Sequence, residues 1–124
     1  MRGRVVLLLH AVHTTVTVDQ PQNHGGEDLA MTPPEMMASA LASCIGCYIV
    51  RYCEQANIDA SGMVVSCDWV VSEKPKRIES FGVQVDLPHL LEKRRKAMMR
   101  VAQSCLIHAT LERPPEVHNR YHKP

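Results

Sequence analysis

Residues 32–57 read TPPEMMASALASCIGCYIVRYCEQAN, and this stretch decides the fold. Thr32 is followed three residues later by Glu35, which is the spacing of a capping box at a helix N-terminus. Pro33 stands at the first helical position, where the N–H that proline lacks would have no partner anyway. The pattern predicts a helix from Pro33 to about residue 56, roughly 24 residues and about 36 Å long.

The predicted helix is apolar on nearly every side. A helix of this kind is buried all round, and one small sheet cannot cover it, so we expect a dimer in which a second copy covers the other side. The helix also reaches the length of a membrane span. Polar and charged side chains interrupt it, so we expect no transmembrane segment. The interrupting residues are Ser39, Ser43, Arg51 and Glu54.

The remaining elements follow from alternation and from turn residues. Arg4–Val18 alternates as a half-buried strand does, and its run Val5–Leu9 is either an earlier strand or the start of the same one. A polar loop with a Gly25-Gly26 turn leads to the helix, and Asn57 is a suitable residue to end it. We then expect an antiparallel hairpin of Met63–Ser72 with Arg77–Leu87 and a second helix from Pro88 to about Ser104. A short helix or turn over Leu106–Leu111 and a short last strand over Glu116–Asn119 should follow.

This order of elements predicts an α+β fold in a single domain spanning residues 1–124. In the second helix, an apolar face is expected to be buried and a basic run, Lys93–Lys96 with Arg100, is expected to face solvent. The buried face would consist of Leu91, Met98, Val101, Ala102 and Cys105.

Composition excludes several classes of partner and site. The net charge of +1 gives no reason to expect nucleic acid or a membrane as a partner. Five cysteines without the spacing of a secreted scaffold indicate a reducing, cytoplasmic location. The basic start and short apolar run resemble a signal peptide, but His10 interrupts the run and no cleavage site follows. No histidine pair has metal-ligand spacing and no glycine-rich phosphate loop occurs, so we expect no metal and no cofactor.

The cysteines are the residues most able to carry chemistry. Cys44 and Cys47 form a C-x-x-C, but a redox pair of this kind works at a helix N-terminus, and a disulfide inside a regular helix would distort its backbone. Cys47, Cys53 and Cys67 are interpreted as small packing residues. Cys105 lies far from Cys44 in sequence, although both belong to apolar helices that should meet in the core.

Three segments together resemble the OsmC/Ohr family of osmotically inducible proteins and organic hydroperoxide resistance proteins. They are GGEDLAMTPPEMMASALASC at 25–44, KPKRIESFGVQVDLP at 74–88 and AQSCLIHATLERPPEV at 102–117. The resemblance implies an OsmC-like α+β fold, with antiparallel sheets wrapped around long central helices in an intertwined homodimer. It also implies a thiol peroxidase site at each subunit interface.

Residue by residue, the resemblance implies that Cys44 is the peroxidatic thiol and Cys105 the resolving thiol. Cys44 would attack an organic hydroperoxide and become a sulfenic acid, which would condense with Cys105 to a disulfide. An external dithiol would then reduce that disulfide. The implied partners are therefore a second copy of the chain, an organic hydroperoxide and a dithiol reductant, with no cofactor.

This chain departs from the family at the residues that activate the thiol. The family places a Glu ten residues before the peroxidatic cysteine, where this chain has Pro34. Glu35 stands one position later, about 100° around the helix, and is either a helix cap or a carboxylate that orients a basic residue. Arg2 and Arg4 match the family's activating Arg by location only. The chain therefore resembles the less characterised OsmC-like branch.

Two other functions remain open at this point. One is a non-enzymatic or redox-sensing OsmC-like dimer that binds an apolar ligand. The other is a thiol–disulfide oxidoreductase that uses Cys44 and Cys47.

Overall fold

A computed structural model describes residues 2–9 and 12–124, with side chains described from residue 16 onward. The elements in chain order are strands β1 (Arg2–Leu9) and β2 (Val12–Asp19), helix α1 (Pro33–Gln55), strands β3 (Val64–Glu73) and β4 (Lys76–Asp86), and helices α2 (Arg95–Gln103) and α3 (Leu106–Glu112). Strand β1 pairs with β2, and β3 pairs with β4. The mixture of helices and antiparallel sheet confirms the predicted α+β class.

The N-terminal strands form an antiparallel pair whose register runs from Arg2 opposite Asp19 to Leu9 opposite Val12. Val5–Leu9 therefore belongs to a separate, earlier strand. In β2, Val16 and Val18 are half-buried and the intervening Thr17 is exposed, as the alternation predicts. His10 and the side chains of Arg2 and Arg4 lie outside the described residues.

The polar loop after β2 is organised by one buried carboxylate. Asp19 is 1% exposed and accepts hydrogen bonds from the backbone N–H groups of Gln20 at 2.8 Å, Glu27 at 3.2 Å and Leu29 at 3.1 Å. Burial raises the pKa of Asp19, but the hydrogen bonds from Leu29, Gln20 and Glu27 outweigh it and hold the pKa below its usual value. A Cβ at Gly26 would collide with the Gln20 carbonyl, so the loop requires glycine there.

Helix α1 begins and ends as its caps predict. The Thr32 N–H donates to the Glu35 carboxylate at 3.2 Å, and the Glu35 N–H donates to the Thr32 hydroxyl at 3.4 Å, which completes the capping box. At the other end Asn57 has a positive φ of 54°, and the Ile58 N–H donates to the Cys53 carbonyl at 2.8 Å. This is the hydrogen bond of a Schellman motif, which satisfies a carbonyl that the helix leaves without a partner.

Burial of α1 differs from the expectation of an all-round buried helix. One stripe is buried, with Ala38, Leu41, Ile45, Ile49 and Cys53 between 0% and 4% exposed. Met37 and Tyr48, on other sides, are 42% and 38% exposed. By length and composition α1 could cross a membrane, a test that core helices also pass. Its buried stripe, spaced by three and four residues, is that of a core helix packed along one face.

The hairpin follows the predicted alternation over most of its length. Val65, Cys67 and Trp69 of β3 are half-buried, as are Phe81, Val83 and Val85 of β4. The alternation then shifts by one residue towards the turn, where Ser72 and Ile78 are half-buried instead. The Ser72 hydroxyl donates to the Pro75 carbonyl at 2.7 Å and so braces the turn.

The second helix begins later than Pro88, so that prediction is wrong. The Leu90 N–H donates to the Leu87 carbonyl at 3.1 Å, which makes residues 87–90 a turn with Pro88 at its second position, where proline is favoured. A 3₁₀ turn at Glu92–Arg94 follows and α2 starts at Arg95. Leu91 precedes both and is 61% exposed, whereas Met98, Ala102 and Cys105 are buried as expected.

The last predicted strand is also absent from the described chain, because residues 116–119 form no regular element and pair with no described strand. Val117 is 77% exposed. The short helix α3 is confirmed, one residue longer than predicted.

Contacts divide the chain into two compact units, residues 1–40 with 68–82 and residues 41–67 with 83–124. The first unit contains β1, β2, the Asp19 loop and the start of α1. The second contains most of α1, α2, α3 and the described core residues from Leu41 to Cys105.

Candidate active site

The structure brings Cys44 and Cys105 together within the second unit. Both are free thiols, and Cys44 lies close enough to Cys105 to raise its pKa. Cys44 projects from α1, while Cys105 lies at the junction of α2 and α3. Two residues that lie 61 positions apart in sequence therefore converge, as expected if the two apolar helices meet in the core.

Local backbone geometry fixes the position of the Cys105 thiol. Cys105 is the N-cap of α3, and its Sγ accepts a hydrogen bond from the His108 N–H at 3.2 Å. Its own N–H donates to the Ala102 carbonyl at 3.3 Å at the end of α2. The thiol thus takes the place that a serine or aspartate oxygen takes at most helix starts.

The environment of Cys105 favours the protonated thiol. Burial raises the pKa of Cys105, the backbone N–H groups of His108 and Ile107 lower it, and the neighbouring Cys44 raises it further. The net effect is a raised pKa, because desolvation is the largest of these influences. At neutral pH, Cys105 is therefore held as a neutral thiol.

Exposure distinguishes the two thiols. Cys105 is 0% exposed, whereas Cys44 is half-buried. A small molecule from solvent can therefore reach Cys44 and not Cys105. This difference in solvent access suits a pair in which the exposed thiol reacts with a substrate and the buried thiol reacts only with the first.

The other cysteines divide into two groups. Cys53 is 1% exposed on the buried stripe of α1, and burial raises its pKa, so it packs as a small apolar residue as predicted. Cys67 is half-buried on β3. Cys47 is exposed, so its interpretation as a buried packing residue is wrong. The helix remains regular from Cys44 to Cys47, without the distortion that a disulfide between them requires.

Glu35 is engaged at the N-terminus of α1. Its carboxylate accepts hydrogen bonds from the Thr32 hydroxyl at 2.8 Å and from the Thr32 N–H at 3.2 Å. These hydrogen bonds, of which that from the hydroxyl is the stronger, lower the pKa of Glu35. The cap therefore accounts for its position.

His108 is a residue that sequence reasoning passed over as one of several scattered histidines. Its N–H binds the Cys105 sulfur, and its Nδ1 lies 3.5 Å from Glu112 Oε1 one turn along α3. The spacing Cys105-x-x-His108 at the start of a short helix was the available signal, because an N-cap side chain accepts from the backbone three residues later. No group of three or more metal-ligating side chains occurs within the described part of the chain.

Comparison with known proteins identifies the family of this chain. A family model described as OsmC-like protein matches residues 25–119, which include Cys44 and Cys105. No protein of curated function matches the sequence.

Several solved structures share the fold. A structure from Psychrobacter arcticus 273-4, named for an osmotic stress induced and detoxification response, matches with 21% identity and a TM-score of 0.75 over 86% of this chain and 79% of that one. An OsmC-like protein from Mycoplasma pneumoniae matches with 13% identity and a TM-score of 0.68 over 90% and 87%. An organic hydroperoxide resistance protein OsmC from Legionella pneumophila matches with 16% identity and a TM-score of 0.60 over 90% and 88%. At these identities the likeness establishes the fold.

Proposed function

Because this chain belongs to the OsmC-like family, we propose that it is a thiol peroxidase that reduces organic hydroperoxides, with Cys44 as the peroxidatic and Cys105 as the resolving thiol. The observation that carries the proposal is the pair of neighbouring free thiols, one half-exposed and one sealed from solvent. The name of the Legionella structure supports the choice of organic hydroperoxides as substrates.

In the first step the Cys44 thiolate attacks the terminal oxygen of the hydroperoxide, the one that carries the hydrogen. The S–O bond forms as the O–O bond breaks, the alkoxide takes a proton and leaves as the alcohol, and Cys44 becomes a sulfenic acid. The sulfur is oxidised by two electrons and the peroxide is reduced by two. Half-exposure of Cys44 gives the substrate its access.

In the second step Cys105 resolves the sulfenic acid. The Cys105 sulfur forms the S–S bond with Cys44 as the S–O bond of the sulfenic acid breaks. The departing hydroxyl takes the Cys105 proton and leaves as water. Cys44 and Cys105 are already neighbours in the reduced protein, which favours formation of this bond. An external dithiol then reduces the disulfide by exchange, which restores both thiols and leaves the reductant oxidised.

The proposed enzyme is a cytoplasmic homodimer, and each chain is one domain. The α1 helix and both strands of the β3–β4 hairpin run through both compact units, which supports a single domain. Large apolar side chains are exposed on α1 and on the hairpin, among them Met37, Tyr48, Val64 and Val70. A second copy packed on these side chains would provide the cover that the apolar sequence of α1 predicts. Light scattering at micromolar concentration tests this, and a monomer would contradict it.

A redox-sensing dimer is the second candidate, and one observation favours it. The carboxylate of Glu35 is held by Thr32 in a cap, and Pro34 occupies the family position of the activating Glu. A sensor would be oxidised once by peroxide and would not turn over rapidly with a dithiol. The oxidoreductase alternative through Cys44 and Cys47 has less support, because the helix between them is regular.

Peroxide consumption in the presence of dithiothreitol tests the proposed function. We expect the wild-type protein to consume cumene hydroperoxide catalytically and the Cys44→Ser variant to lose this activity. The matched control is Cys47→Ser, which removes an exposed thiol one turn further along the same helix and should retain the activity. Equal rates in the wild-type and Cys44→Ser proteins would refute the peroxidase.

A further inference from the structure

A cationic groove lies along the outer side of α2. Its volume is about 530 Å³. Among the described residues, its lining includes the cations Lys93, Arg95, Lys96 and Arg100, together with Met99 and Gln103. From Arg95 to Gln103 these positions recur at spacings of three and four residues, which places them on one face of α2, and Lys93 lies in the 3₁₀ turn that precedes the helix. The opposite face is buried through Met98 and Ala102, so the groove faces solvent.

The charge in this groove is concentrated. The acidic residue in its lining, Glu92, is paired with Arg95 at 3.2 Å, so it offsets only one of the four cations. The whole chain carries a net charge of only +1, so the positive potential is local to this helix. A concave surface lined by one sign of charge attracts a ligand or partner of the opposite sign and raises its association rate.

One end of the groove lies close in sequence to the candidate active site. Gln103 lines its end and is the last residue of α2, and Cys105 follows two residues later. Two residues span at most about 7 Å, so the end of the groove at Gln103 is within this backbone distance of Cys105. From Arg95 to Gln103 the groove extends along α2 for about 12 Å.

We propose that this groove is the docking surface for the reductant of the enzyme, an acidic protein that carries a dithiol. The inference rests on the proposed function, in which an external dithiol must reach the Cys44–Cys105 disulfide. One thiolate of the partner attacks the half-exposed Cys44 sulfur, and the Cys44–Cys105 bond breaks with Cys105 as the leaving thiolate. The partner's second thiol then attacks the partner sulfur of this mixed disulfide and releases Cys44, so the partner leaves oxidised and its two protons remain on Cys44 and Cys105. The cations draw the acidic partner to α2 and the dithiol reaches the disulfide at the end of the helix.

The shape and composition of the groove favour a protein over a membrane or a nucleic acid. A concave surface suits a protruding chain segment, whereas a bilayer is flat on this scale. Described residues of the lining include no aromatic side chain on which a base could stack. Met99, which lines the groove and is 40% exposed, offers an apolar contact of the kind found in protein interfaces.

The test measures reduction of the Cys44–Cys105 disulfide by three dithiols. The disulfide is prepared with diamide, so that the test does not require reaction with a peroxide. The reductants are dithiothreitol, a peptide whose two cysteines are flanked by glutamates, and a matched peptide flanked by glutamines. We expect the acidic peptide to react about tenfold faster than the neutral one at low ionic strength and to lose this advantage at 1 M salt, where charges are screened beyond about 3 Å.

Two charge-reversed proteins locate the effect. Lys93→Glu with Lys96→Glu should abolish the advantage of the acidic peptide and leave the dithiothreitol rate unchanged. Lys74→Glu with Lys76→Glu changes the net charge equally at exposed positions on the β3–β4 turn and should keep the advantage. An acidic peptide no faster than the neutral one, or an equal loss in both variants, would overturn the docking surface.

The remaining outcomes assign the groove to another partner. One such outcome has two parts: the acidic peptide shows no rate advantage, and the wild-type protein binds phosphatidylserine vesicles or single-stranded DNA while the Lys93→Glu, Lys96→Glu variant does not. This outcome would overturn the proposal. Failure of the proposed function would look different, because cumene hydroperoxide would then leave both thiols reduced while the peptide rates on the diamide-formed disulfide still differed.

Discussion

The thiols of Cys44 and Cys105 are neighbours in the reduced protein, close enough that Cys44 raises the pKa of Cys105, and only Cys44 is within reach of solvent. The pair is therefore ready to form a disulfide, while the order of oxidation is fixed by access. The backbone N–H of His108 holds the Cys105 sulfur at 3.2 Å and so keeps it beside its partner.

Replacement of the resolving thiol should separate the two steps of the cycle. In Cys105→Ser we expect Cys44 to react with one equivalent of cumene hydroperoxide as in the wild type, because the access of Cys44 is unchanged. Without a second thiol the sulfenic acid should persist and be trapped by dimedone, and turnover should fall by about an order of magnitude or more. Mass spectrometry of the trapped adduct measures this, with Cys47→Ser as the control. An absence of the adduct on Cys44 would contradict the assigned order.

The resolution step should accelerate with pH. Burial and the neighbouring Cys44 raise the pKa of Cys105, so its reactive thiolate is scarce at neutral pH and increases about tenfold for each pH unit below the pKa. We expect disulfide formation after a stoichiometric addition of peroxide to become faster between pH 7 and pH 9, as followed by rapid acid quench. A rate that falls over this range would show that Cys105 does not attack as a thiolate.

The capping box should matter for stability and not for catalysis. Thr32→Ala removes a hydroxyl that accepts from the Glu35 N–H and donates to its carboxylate, so we expect a loss of about 1 kcal/mol in the free energy of unfolding. Glu35→Gln retains an oxygen that can accept from Thr32 and should keep peroxidase activity per folded molecule. A large fall in activity of Glu35→Gln without loss of folded protein would assign Glu35 the orienting function instead.

Gly46 offers a test of the alternative C-x-x-C chemistry. A Cβ added at Gly46 would lie 3.6 Å from Val65 Cγ2 and 3.7 Å from Met63 Cε, which is ordinary contact. We therefore expect Gly46→Ala to raise the free energy of unfolding by about 0.5 to 1 kcal/mol through its better helix propensity. Peroxidase activity should be retained. A disulfide between Cys44 and Cys47 would need distortion at this residue, so a selective loss of activity in Gly46→Ala would support that chemistry.

Local patterns predicted the elements whose stabilising contacts are themselves local. The capping box at Thr32 and the left-handed Asn57 delimit α1 through hydrogen bonds within a few residues. The prediction that a helix begins at Pro88 was wrong, because proline is favoured both at the first position of a helix and at the second position of a turn. The hydrogen bond between Leu87 and Leu90 decides for the turn.

Features that depend on distant partners were harder to predict. The spacing of residues 116–119 was compatible with a strand, but a strand requires an edge to pair with, and sequence does not reveal one. The convergence of Cys44 and Cys105 was an expectation with little specificity until the family resemblance singled out these two positions. The anchoring of the Cys105 sulfur by the His108 N–H depends on where α3 begins, which composition does not fix.

Titration of the reduced protein with cumene hydroperoxide, followed by peptide mapping under non-reducing conditions, tests the central claim most directly. One equivalent of peroxide should consume two thiols and yield a single link between Cys44 and Cys105, leaving Cys47, Cys53 and Cys67 reduced. A protein in which Cys44 and Cys105 both remain reduced, or in which Cys44 is linked to Cys47, would contradict the account.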